Sequence, residues 1–90
     1  MIKKYFDHAL TLVKLAVEEN NKLFKDEPSD KSYLLTLTYD EGSIEIKPQY
    51  DTQLNSPEDY FQIAQACGAN SYITLSTNQA GDIVPCIRIF

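Results

Sequence analysis

The stretch Ser32–Lys47, SYLLTLTYDEGSIEIK, decides the fold. Its first eight residues place Tyr33, Leu35, Leu37 and Tyr39 on one side and Leu34, Thr36 and Thr38 on the other, the period of two that belongs to a strand. Asp40-Glu41-Gly42-Ser43 supplies a turn whose glycine can take the positive φ of a tight hairpin. Ile44-Glu45-Ile46-Lys47 returns as a second strand, ended by Pro48. A hairpin needs an apolar partner for its buried side, and the flanking segments supply it.

On the N-terminal side, Ile2, Tyr5, Phe6, Ala9, Leu10, Leu12, Val13, Ala16, Val17, Leu23 and Phe24 recur at helical spacing, so an amphipathic helix is expected from Lys3 to about Lys25. Leu15 projects from its polar side as an isolated exposed leucine. Asn20 falls inside the apolar arc, so either the helix ends near Glu19 or an amide sits at the edge of the core. An unpaired amide there predicts that Asn20→Leu is neutral or stabilising. Asp26-Glu27-Pro28-Ser29-Asp30 stops the helix in an acidic loop.

On the C-terminal side, residues 49–55 lack periodicity and read as a loop. Ser56-Pro57-Glu58-Asp59 then gives a capping serine, a proline at the first helical position and two acids facing the positive helix end. The cap predicts a loss of about 1 kcal/mol for Ser56→Ala. Tyr60, Phe61, Ile63, Ala64 and Cys67 form the apolar face of a short second helix closed by Gly68. Ser71–Thr77 is a third strand, residues 78–82 a turn and Ile83–Ile89 a fourth strand, which Pro85 assigns to a sheet edge or a bulge.

The order is α-β-β-α-β-β: a helix and hairpin, twice. Ser32-Tyr33-Leu34 echoes Ser71-Tyr72-Ile73, and Gly42-Ser43-Ile44 echoes Gly81-Asp82-Ile83, similarities that strand composition alone can also produce. The expected fold is an α+β two-layer sandwich, with a four-stranded, mainly antiparallel sheet and both helices on one face. Its other face would carry Leu34, Thr36, Thr38, Glu45, Lys47, Tyr72, Thr74, Ser76, Cys86 and Arg88.

With 90 residues the chain has material for one domain, 1–90, since a chain this short buries only roughly 60% of its unfolded surface. Thirteen carboxylates against eight lysines and arginines give a net charge of −5, which disfavours direct binding to nucleic acid or anionic membranes. The N-terminus lacks the pattern of a signal peptide and no apolar run reaches the length of a membrane span, so a cytoplasmic protein with reduced thiols at Cys67 and Cys86 is expected.

The catalytic inventory is sparse. His8, the single histidine, lies at the polar margin of its helix without a nucleophile or carboxylate set beside it. Cys67 sits at a helix C-terminus, where a thiolate is not stabilised, and Cys86 reads as strand packing. The acidic loop lacks the ligand spacing of a calcium site, and there is no glycine-rich phosphate loop. No cofactor, metal or enzymatic activity is expected.

If each element crosses the domain once, one pole gathers Asp26, Glu27, Asp30, Tyr50, Asp51, Glu58, Asp59, Gln79 and Asp82, with Lys25, Lys31 and Lys47 nearby. The opposite pole gathers Asp40, Glu41, Lys3 and Lys4. Loops are polar in any protein, but a pole this acidic also suits a basic protein partner. The sequence therefore favours a non-enzymatic acidic binding module, an inhibitor of the toxin-immunity or antitoxin kind that blocks a basic partner such as a nuclease. Two further readings are a phage-type nucleic-acid mimic that inhibits a host defence complex, which needs carboxylates along an extended surface, and a self-associating structural or regulatory subunit that dimerises through the sheet face or an edge strand.

Overall fold

The structure is a computed structural model that describes the backbone of residues 3–25 and 33–90 and the side chains of residues 5–25 and 33–90. Its elements are α1 (Lys3–Phe24), β1 (Leu35–Asp40), β2 (Ser43–Pro48), α2 (Pro57–Ala66), β3 (Ser71–Thr77) and β4 (Ile83–Ile89). The strands form one antiparallel sheet in the order β1-β2-β4-β3, which sets the two helix–hairpin units side by side through their second strands.

Alternation along each strand sends Leu35, Ile44, Ile46, Ile87 and Ile89 to the helix side, where they pack with Phe6, Ala9, Val13 and Val17 of α1 and with Tyr60, Ala64 and Cys67 around α2. Ala9 and Ala64 are fully buried, and their small side chains leave the two helices room beside the sheet. Gly42, at φ 84°, holds the second central position of the β1–β2 turn, a conformation that costs a glycine little. At the end of α2, Ala69 N–H donates to the Ala64 carbonyl at 2.8 Å and Gly68 N–H to the Gln65 carbonyl at 3.0 Å, a Schellman closure that needs Gly68 at φ 72°.

Several expectations from the sequence need correction. Strand β4 is an interior strand, not an edge. Its ladder with β2 runs only from Ile44↔Ile89 to Ile46↔Ile87. Asn70 and Phe90 exchange both backbone bonds, at 2.9 and 3.0 Å, so β4 bonds to β3 at even residues and turns its odd residues toward β2. Pro85 thus lacks its donor on the β2 side, two residues beyond the ladder, and the residue that would continue the register there is Pro48, which also lacks one. The seam stops where two prolines meet.

Beyond that point side-chain contacts take over from the ladder. Lys47 Nζ reaches across to the Thr77 carbonyl at 2.8 Å, and Asn78 Nδ2 donates to the Gln49 carbonyl at 3.1 Å. The Lys47 stem covers what lies beneath it, and Val84 and Cys86 are fully buried on the face expected to be open. Glu45 bridges Lys47 at 3.3 Å and Arg88 at 4.0 Å on the same face.

Asn20 is neither unpaired nor a helix end. Its Nδ2 donates to the Tyr33 carbonyl at 3.0 Å, and its Oδ1 accepts from Asn55 Nδ2 at 3.2 Å. Next to it, Asn21 donates to the Leu35 carbonyl at 2.9 Å and accepts from Leu35 N–H at 2.8 Å. Ser56 makes no side-chain cap; it sits in the left-handed region at φ 51°, and its carbonyl accepts from Asp59 N–H at 3.1 Å. Proline after it disfavours the right-handed helical region, so the chain enters α2 by a sharper route than an extended cap. Leu23, assigned by periodicity to the apolar arc, is 70% exposed, whereas Leu15 is exposed as expected.

Two stability predictions follow from these contacts. Asn20→Leu should lose about 1 kcal/mol or more and Asn21→Ala about 2 kcal/mol in denaturant unfolding, because each leaves backbone or amide partners without their hydrogen bonds, part-buried ones among them; a neutral result would mean that water replaces the amides. Ser56→Ala should change stability by less than about 0.5 kcal/mol, since no cap is lost, while Ser56→Gly should be neutral or stabilising by up to about 1 kcal/mol through relief of the left-handed backbone; a clear loss on Ser56→Ala would restore the capping role.

Candidate functional site

One end of the molecule collects the last turns of α1, the start of β1, the loop after β2, the start of α2 and the β3–β4 turn. The ties are the polar contacts just described: Asn20 to Tyr33 and Asn55, and Asn78 to Gln49. Asn78, only 6% exposed, also accepts from Asp82 N–H at 3.0 Å and so shapes the turn that carries Gln79 and Asp82.

Of the residues expected at this pole, Tyr50, Asp51, Glu58 and Asp59 are exposed and Asp82 is half-buried, all on elements that meet here. Asp26, Glu27 and Asp30 lie outside the described residues. Of the three lysines expected nearby, Lys47 is engaged with Glu45 and the Thr77 carbonyl, Lys25 is exposed just after α1, and Lys31 lies outside the described residues. At the opposite end Asp40 accepts from Ser43 Oγ at 2.6 Å, as an ordinary turn residue does.

Between α1 and the start of α2 lies a groove of about 490 Å³. Ala16, Leu23, Phe24 and Tyr60 give it apolar walls, Glu19 and Asp59 stand at its rim, and Asn20, Asn55 and Ser56 complete it. No basic side chain lines it among the described residues. Asn55 Oδ1 is buried beside the groove with no hydrogen-bond donor among the described residues. Of the expected site residues that the structure describes, only Asp59 lines this groove; Tyr50, Asp51, Glu58 and Asp82 do not. The sequence reading missed Leu23, Phe24, Glu19 and Asn55. The legible signal was Asn20, a polar residue inside an apolar arc, which lines the groove and ties α1 to Asn55.

The remaining reactive side chains are placed as packing or surface groups. His8 is exposed, and Cys67 and Cys86 are buried free thiols. Burial, with the nearby Glu45 carboxylate, pushes the Cys86 thiol from 9.0 up to about 11, so it stays protonated near neutrality. Burial and then the Asp59 carboxylate push the Tyr60 hydroxyl from 10.0 up to about 12. Among the described residues no three His, Cys, Asp or Glu side chains are placed to hold a metal ion, and no helix is long and apolar enough to cross a membrane.

Comparison with protein-family models, with curated proteins and with solved structures returns no match to this chain.

The raised thiol sets an alkaline limit. Unfolded Cys86 releases its proton near pH 9 and folded Cys86 only near pH 11, so the stabilisation is fully present below pH 9 and is lost as the pH rises through 11. Melting temperature should fall across that window, and Cys86→Ala, though less stable at pH 7, should fall less steeply; parallel slopes would mean that the thiol ionises as easily folded as unfolded.

Proposed function

We propose that this protein is a non-enzymatic binding module that takes a basic protein at the groove end. The observation that carries the reading is the groove itself: apolar walls with Leu23 exposed and carboxylates of Glu19 and Asp59 at the rim. That combination suits a partner segment that inserts an apolar side chain and brings a lysine or arginine N–H beside it. Around the groove, Asp51, Glu58 and Asp82 extend the negative field and speed the encounter of a cationic partner. The task that fits a small acidic binder of this kind is inhibition in the manner of a toxin-immunity protein or antitoxin, with the carboxylates lying where a nuclease would hold phosphates.

Affinity capture from lysate of the source cells, followed by an assay of the captured protein's own activity with and without this chain, tests the reading. Glu19→Gln with Asp59→Asn should weaken capture and flatten its salt dependence, and Asp51→Asn, Glu58→Gln and Asp82→Asn should slow association without changing the fold. Neutralising Asp40 and Glu41 at the opposite end should matter far less. Capture insensitive to both groove-end sets, or a captured protein whose activity is unaffected, overturns the proposal.

A further inference from the structure

We infer that β3 is the seat of a symmetric dimer in which two copies of this chain pair antiparallel along their β3 edges. The two edges of the sheet are treated differently. At β1, the outward N–H and C=O of Leu35 are both taken by the Asn21 amide, and Lys14 Nζ lies 4.6 Å over the Tyr39 ring. Strand β3, Ser-Tyr-Ile-Thr-Leu-Ser-Thr, has no charge, no proline and no bulge, the usual devices that keep an edge from pairing.

Its hydrogen-bonding groups fix what fits. Because β3 bonds to β4 at even residues, Ser71, Ile73, Leu75 and Thr77 turn their N–H and C=O groups outward. A second copy running antiparallel, with the two-fold axis at Thr74, sets Ile73 opposite the other Leu75 and Ser71 opposite the other Thr77. The outward groups of Ile73 and Leu75 then find partners and Thr77 N–H meets the Ser71 carbonyl, while the Thr77 carbonyl accepts from Lys47 across the sheet. Sliding the copies by two residues leaves either Ser71 or Thr77 unpaired, and sliding by one sets outward groups against inward ones.

Side chains agree with the same register. On the helix side Ile73 and Leu75 are 49% and 71% exposed, and Ile83 beside them on β4 is 69% exposed. Here α2, which starts against α1 and ends where β3 begins, leaves the hairpin uncovered. Pairing lays each Ile73 against the other copy's Leu75. On the other side Thr74 meets Thr74 and Tyr72 meets Ser76. Although each chain carries a net charge of −5, no charged side chain of one β3 faces one of the other, so the occupant that meets least electrostatic opposition at this neutral edge is the same neutral edge. The dimer joins the two four-stranded sheets into one and leaves the α1–α2 groove free, so it stands or falls apart from the binding role proposed for that groove.

Sedimentation equilibrium across a concentration series, with amide exchange followed residue by residue, tests it. The wild type should reach the mass of two chains, with slow exchange at Ile73 and Leu75 that speeds up on dilution. Leu75→Lys, and separately Ile73→Lys, should give the mass of one chain, fast exchange at both positions and an unaltered fold by circular dichroism. Leu15→Lys, on an exposed site of α1, should leave the dimer intact. A one-chain mass at every concentration, a dimer that survives Leu75→Lys, or protection of these amides only when another protein is added overturns self-pairing. Should either lysine variant unfold, concentration-dependent protection in the wild type decides alone.

Discussion

The carboxamide of Asn21 matches both backbone groups of Leu35, donating at 2.9 Å and accepting at 2.8 Å as a neighbouring strand would. This one side chain anchors the last turns of a 22-residue helix to the first residue of the sheet. Asn20, one residue earlier, passes the anchor on through Tyr33 and Asn55 to the start of α2. Because the two amides point to different partners, the position of α2 relative to α1, and with it the groove between them, depends on the pairing at Leu35. The Phe24 and Tyr33 rings, 5.2 Å apart, close the same corner with apolar contact.

From that anchor the molecule divides into surfaces of unlike chemistry. The end held by the asparagines is acidic and has an apolar groove; the far side of the sheet has a charged row from Arg88 through Glu45 to Lys47 lying over a small second core of Val84 and Cys86. The β3 edge is neutral and apolar. Charge pairs at partly exposed sites contribute little stability, about 0–1 kcal/mol each, so the value of the Arg88–Glu45–Lys47 row is chiefly steric: it keeps water from two buried side chains. Among the described carboxylates at the groove end, Glu58 and Asp59 are favourably placed in the first turn of α2.

Periodicity made the elements legible. The alternation in Leu35–Tyr39 and Ile44–Lys47, the helical arc from Phe6 to Val17 and the Gly68 stop each reflect a local rule, and the α-β-β-α-β-β order follows from them. What stayed hidden depends on distant parts of the chain. Pro85 obeys the rule against interior prolines, but it does so by sitting past the end of a short ladder, which no local pattern discloses. Asn20 broke the helical arc because its partners are thirteen and thirty-five residues away. Leu23 and Leu75 fit their periodic patterns and are still exposed, because the element that would cover them is too short or points elsewhere. Crossing parity assigns the loop residues Asp51 and Asp82 and the α2 residues Glu58 and Asp59 to one end, whereas the groove depends on two helix ends approaching each other and could not be read in that way.

The interior position of β4 also bears on how the fold is reached during synthesis. In chain order β4 follows every other element, and it supplies the strand against which both β2 and β3 pair. Until Ile83–Ile89 have left the ribosome, Ile44 and Ile46 have α1 above them but an open strand edge beside them, and β3 has no sheet to join. A nascent chain grows by roughly 5–20 residues per second, so this half-built sheet persists on the ribosome for times in which unpaired edges can find wrong partners. Closure of the sheet therefore waits for the emergence of its central strand.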